Sequence, residues 1–291
     1  MRTSSPWATT REPLGRRDSD AAAAKVLARV GHGTPYFALE DCVFDGAELR
    51  AIARAETDPG RELGTATSAE IARHAVVAGS ACLALARPDE ARCYYLASSI
   101  DGTFFGGSAE FGAAMQYAAV VTSEGPVGGG VQVEARLPHE LVARVRITYA
   151  IVEEHLFARL FAAQRTATFS DTGSYATYPP FATCSHGSSG AEARLVVETS
   201  ACHGHFQQYP TLPASTLLGE FMELVARLVP GDFRVSALHL RTPALAWAGD
   251  ELLLRLEKSN GPWQFAGRAT VGSRQVASLE LGLVRGFPCR E

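Results

Sequence analysis

The chain has 291 residues, 46% of them apolar and 20% charged, with a formal net charge of −4. That length accommodates one large domain or two small ones with a sizeable core, and a slightly acidic chain without a basic block does not suggest a nucleic-acid-binding protein. No stretch reaches the roughly 18 consecutive apolar residues of a membrane span, and the polar start carries no signal-like apolar run, so a cytoplasmic protein without membrane contact is expected.

The first 17 residues read as a disordered tail, followed by a short helix in "DSDAAAAKVLARV" (18–30). "TPYFALEDCVFDGAELRAIARAET" (34–57) predicts two strands joined at Asp45-Gly46, a hairpin turn signal. "TSAEIARHAVVAGSACLALAR" (67–87) predicts a helix apolar on nearly every side, which other structure must wrap. Strand patterns follow at 91–105, 113–125, 130–137 and 140–163, the last turning helical toward its end. The order then repeats. Strands are expected at 174–185 and 192–206, a second buried helix at 212–229, and three more strands at 232–260, 263–272 and 274–286. Strand, strand, long helix and several strands recur at a period of about 140 residues, which points to an internal duplication.

Six cysteines (Cys42, Cys82, Cys93, Cys184, Cys202 and Cys289) form no CxxC pair, as expected of reduced thiols. Cys184, His186, Cys202 and His203 make two close-spaced pairs on flexible segments, too weak a pattern for zinc. No metal or cofactor is expected.

One turn carries a specific resemblance. "GHFQQYPTLPAS" resembles the GHFPxxPxMPG turn of 3-hydroxyacyl-ACP dehydratases, keeping Gly204, His205, Phe206, Pro210 and Pro213. "LRTPALAWAGDELLLRLE" is similar to that family's RPVxPGDxLxxxVE strand pair, and "PYFALEDCV" and "YYLASSIDGTFF" extend the likeness into the first half. The resemblance implies an α+β double hot-dog. In that fold two antiparallel sheets each wrap a long central helix, as a pseudo-dimer of an N-terminal unit (18–165) and a C-terminal unit (166–291). It implies a dehydratase, like those of fatty-acid and polyketide assembly, acting on an acyl thioester of acyl carrier protein or coenzyme A. Pairing of two such chains into a homodimer stays open.

In that family a carboxylic acid stands on the central helix 14 residues after the histidine; here that position is Gly219. Glu220, one place on, is rotated by about 100°. The family pairs the histidine of one unit with the helix of the other. On the first-half helix "Glu70-Ile-Ala-Arg-His74" resembles the DxxxQ/H signature of polyketide dehydratases, with both side chains on one face. The expected site is therefore composite: His205 as base for the C2 proton, Glu70 as acid for the leaving hydroxyl, and His74 beside it. Gly204, Phe206 and the Pro213-Ala214-Ser215 turn are expected to bind substrate, the turn's N–H groups facing the thioester oxygen. Gly79 and neighbouring small residues are expected to leave room for the acyl chain.

Blander accounts stand beside these. Thr67 to Glu70 is also a capping box, His74 a core histidine, and His205 a turn residue. Two other functions stay open: a hot-dog thioesterase, which needs a helix carboxylate but no GHF turn, and a non-catalytic protein that binds an acyl chain or a partner.

Overall fold

The computed structural model describes residues 24–107, 109–166, 179–206 and 208–286. The expected tail, the start of the first helix and the aromatic start of the 174–185 strand lie outside them; residues 24–29 are helical.

Among the described residues twelve strands form one antiparallel sheet. The first six are β1 (Glu40–Phe44), β2 (Glu48–Ala53), β3 (Cys93–Phe104), β4 (Met115–Glu124), β5 (Gly128–Leu137) and β6 (Glu140–Glu153). The second six are β7 (Thr183–His186), β8 (Gly190–Val196), β9 (Phe233–Arg241), β10 (Glu251–Lys258), β11 (Gln264–Val271) and β12 (Arg274–Arg285). The order across the sheet is β1-β2-β4-β5-β6-β3-β9-β12-β11-β10-β8-β7. Read inward from either edge, each half follows the same sequence of strands. The halves are joined by β3 against β9, from Ser99 opposite Arg241 to Thr103 opposite Ala237. The six strands of each half are thereby joined edge to edge into one continuous sheet.

Besides the helical residues 24–29, the described residues hold three α-helices: α1 (Ser68–Ala86), α2 (Glu154–Leu160) and α3 (Ala214–Leu228). α1 packs against β2 to β6, α3 against β8 and β10, and the two helices touch each other. Both are stopped by the same device. Arg87 and Val229 follow the last helical residues in extended conformation, with ψ of 137° and 127°, because each precedes a proline, Pro88 and Pro230. α1 has the length and apolar character of a membrane-crossing helix, contrary to the sequence reading, yet 89% of that stretch is buried within the protein. It is a core helix. The strand expected over 140–163 ends at Glu153 and gives way to α2, as its changed periodicity implied. The 192–206 strand stops at Val196, and a 3₁₀ turn (Thr199–Cys202) follows. The stretch 232–260 is two strands, since Thr242-Pro243 and the Gly249-Asp250 turn interrupt pairing between them. The five described cysteines are all free thiols.

Candidate active site

The turn before α3 holds the expected histidine. Gly204 has a φ of +72°, a conformation natural to glycine, and its carbonyl accepts from Gly33 N–H at 2.7 Å. A Cβ here would lie 2.5 Å from the Gly33 carbonyl oxygen and 2.6 Å from the Tyr36 nitrogen. Only glycine lets the first-half segment 33–36 rest on the turn. The next residue, His205, is buried and donates from Nδ1 to the Thr211 carbonyl at 3.0 Å. A carbonyl only accepts, so the proton is on Nδ1 and the lone pair is on Nε2. Thr211 is itself tied to β9–β10 through its hydroxyl, which donates to the Ala246 carbonyl at 2.9 Å.

Aromatic rings surround the imidazole. Phe206 stacks at 4.0 Å between centroids, Tyr36 is tilted at 4.9 Å, and His32 lies nearly parallel at 5.6 Å. His32 is positioned by Ser80 of α1, 3.4 Å from its Nδ1. Burial disfavours the imidazolium and takes the pKa of His205 down to about 4, against a smaller opposing pull from the Thr211 carbonyl. His32 is held well below the ordinary range too, by burial and by its neighbour His205.

His205 opens onto a cavity of about 430 Å³. Its walls include Tyr36, Val76, Tyr95, Phe206, Ala214, Leu217 and Trp247, with Arg274 as the charged member. No aspartate or glutamate among the described residues lines it. The volume and apolar lining are those of a small-molecule site. Pro213 is the N-cap residue of α3, whose first turn receives no side-chain cap, and Ser215 places its hydroxyl 3.4 Å from that of Tyr36.

Glu70 and His74 come together elsewhere. Thr67 caps α1 by accepting from Glu70 N–H at 3.0 Å. The Glu70 carboxylate accepts from the Thr57 hydroxyl at 2.8 Å and lies 3.1 Å from Arg73 Nη2 and 3.3 Å from His74 Nε2. His74 also meets Tyr117 of β4 at 3.2 Å through Nδ1, and Arg73 reaches Glu56 at 2.9 Å. Burial raises the pKa of Glu70, with the Arg73 guanidinium pulling it back; burial and the same guanidinium lower that of His74. The expected contact between His205 and Glu70 is not formed. The α1 residue facing the cavity is Val76, six positions on from Glu70. Six residues advance a helix by about 9 Å and turn it by about 240°, which puts Glu70 in a separate layer. Gly79 does not line the cavity either. A side chain there would meet the Tyr149 hydroxyl, so its smallness serves helix–sheet contact instead.

Tyr36 of the cavity wall, and His32 and Ser80 behind His205, were not anticipated from the sequence. Tyr36 lies in the "PYFALEDCV" likeness within the stretch 34–57 read as strands, and Gly31-His32-Gly33 falls between that stretch and the helix expected over 18–30. Glu220 is buried on α3 and both carboxylate oxygens lack a hydrogen-bond partner among the described residues; burial, with Glu223 nearby, pushes its pKa up to about 9. It does not line the His205 cavity. A separate cavity of about 60 Å³ lies between residues 58–62, ahead of α1, and Gly219, Met222 and Glu223 of α3. It contains no histidine. Among the described residues no group of three or more His, Cys, Asp or Glu is placed to hold a metal ion.

The sequence matches no protein-family model and no curated protein. Solved structures of similar shape include a putative oleoyl thioesterase from Lactobacillus plantarum, with a TM-score of 0.57 and 10% identity, covering 84% of this chain and 98% of that one. An acyl-ACP thioesterase from Bacteroides thetaiotaomicron has a TM-score of 0.55 and 10% identity over 81% of this chain and 98% of its own. A conserved protein of unknown function with hot-dog fold from Alicyclobacillus acidocaldarius has a TM-score of 0.53 and 11% identity, over 85% and 96% respectively. Likeness at this level of identity establishes the hot-dog fold and nothing about activity.

Proposed function

We propose that the chain is a double hot-dog, with units 18–165 and 166–291 as the two halves of a pseudo-dimer, and that it dehydrates a 3-hydroxyacyl thioester at a single site around His205. The mirrored strand order supports the first part. The observation that carries the second is the fixed tautomer of His205, whose Nδ1–H is held 3.0 Å from the Thr211 carbonyl while the ring lines an apolar cavity.

Dehydration begins with removal of the C2 proton, which needs a neutral imidazole with a free lone pair. His205 has both at neutral pH, because burial keeps the charged form away. As the proton leaves, charge gathers on the thioester oxygen. Ala214 lines the cavity at the start of α3, where the uncapped N–H groups of Ala214 and Ser215 can receive that charge. The apolar walls take the acyl chain, and the carrier, acyl carrier protein or coenzyme A, stays outside. Glu70 and His74, in their own buried cluster, hold α1 in place.

Hydrolysis of an acyl thioester is the second reading, favoured by the names of the two thioesterases of similar shape. No carboxylate among the described residues lines the cavity, and both families use one, so the products decide between the two readings. Pure protein is incubated with 3-hydroxydecanoyl and decanoyl pantetheine thioesters and the products are read by mass spectrometry. Enoyl thioester from the first substrate supports dehydration. Free acid from both, with no enoyl product, would make the protein a thioesterase.

A further inference from the structure

A dehydratase site whose described residues supply a base and no carboxylate needs another source for the proton that leaves with the hydroxyl group. We infer that Tyr36, from the first half of the chain, is that proton donor for the site around His205, a step that rests on the dehydratase reading. Four observations converge on it. Tyr36 lines the same cavity as His205, and the two rings touch at 4.9 Å between centroids. Its hydroxyl is 3.4 Å from the Ser215 hydroxyl, at the first turn of α3. That places any negative charge left on the phenol oxygen at the positive end of a 15-residue helix. Its backbone is fixed too, because Gly33 and Tyr36 lie directly on the Gly204 turn, where a Cβ would be 2.6 Å from the Tyr36 nitrogen.

The proton balance closes within the pair. His205 Nε2 takes the proton from C2, and the freed electron pair forms the C2–C3 double bond as the C3–O bond breaks. The Tyr36 hydroxyl proton goes to the departing oxygen, which leaves as water. The imidazolium then returns its proton to the tyrosinate, and both side chains end as they began. The return is strongly downhill, since a phenol ordinarily ionises near 10 and burial leaves His205 a weak base.

Tyr36→Phe keeps the ring against His205 and removes only the hydroxyl. The variant and the wild type are compared on two substrates, 3-hydroxydecanoyl and 3-fluorodecanoyl pantetheine thioester. Fluoride departs without needing a proton, so an acid matters for the first substrate and little for the second. The variant is expected to lose about 100-fold or more in kcat on the hydroxy substrate and less than about fivefold on the fluoro substrate. Retained fluoride release also shows that the variant's site is folded and its base intact. Equal losses on both substrates would give Tyr36 a merely structural role, and an unchanged rate on the hydroxy substrate would remove it from the chemistry; either overturns the proposal. Wild-type protein that releases no fluoride and exchanges no C2 hydrogen with deuterated water would instead overturn the dehydratase reading, and the role of Tyr36 with it.

Discussion

Tyr149 of β6 donates its hydroxyl hydrogen to the Val76 carbonyl at 2.7 Å, across the place where Gly79 has no side chain. A Cβ on Gly79 would run into that hydroxyl and would lie 3.3 Å from the ring carbon that bears it. The glycine therefore sets how closely α1 approaches the sheet. Gly79→Val should destabilise the protein by about 1–3 kcal/mol through overpacking, with the acyl-chain preference of the folded fraction unchanged. Thermal unfolding together with product profiles over several chain lengths tests this. A stable variant with shortened chain preference would return Gly79 to the acyl tunnel.

Glu70 and Arg73 are both buried and face each other at 3.1 Å. Glu70→Gln leaves a buried guanidinium short of one counter-charge, an unfavourable change of about 3–5 kcal/mol when a buried pair is broken. Glu56, half exposed and also on Arg73, makes the lower end of that range the expected one. A fall in melting temperature with kcat of the folded protein nearly intact is the expected result. A loss of turnover of about 100-fold at unchanged stability would restore Glu70 as the acid.

The depressed pKa of His205 fixes the acid side of the pH profile. An unperturbed histidine gains its proton near 6.5. Here the folded value is about 4, because burial opposes the charge. The acid limb of kcat/KM should fall well below pH 6, extending as far as the fold persists. Stability follows the same linkage: the unfolded chain binds the proton first, so this group's contribution to stability is present above the unfolded pKa and is lost as pH falls from there toward 4. His205→Ala should lower turnover by at least about 100-fold at every pH. An acid limb near 6.5 in the wild type would mean a solvated imidazole and a different base.

Glu220 acts on stability in the opposite direction. Its folded pKa is raised to about 9, above the unfolded value, so the folded protein keeps a proton that the unfolded chain releases. Stability from this group is complete below the unfolded pKa and declines as pH rises toward 9. Glu220→Gln cannot ionise and should flatten that decline, giving a variant more stable than the wild type at pH 8 and similar at pH 4. Neither oxygen has a hydrogen-bond partner among the described residues, so no described bond is lost with the charge. Melting curves across that pH range decide it; a variant less stable at pH 8 would mean that the carboxylate is paired in solution.

Local patterns were legible in the sequence because their causes are local. Pro88 and Pro230 end α1 and α3 by restricting the residue before them, and Thr67 caps α1 within one turn. The GHF turn marks itself through Gly204, whose positive φ is a property of that residue. Glu70 and His74 meet because i and i+4 side chains share a helix face. Which face of α1 looks toward His205 was not legible. A helix buried on nearly every side has no polar stripe to fix its rotation, so packing against β2 to β6 and α3 turns Val76 to the cavity and Glu70 away from it. The same holds for Tyr36 and Ser215, 179 residues apart in the chain. Their hydroxyls meet because the joining of β3 to β9 brings the two halves together and the Gly204 turn lets segment 33–36 approach within backbone contact. No pattern within a window of one or two turns encodes that distance; the tertiary structure alone decides it.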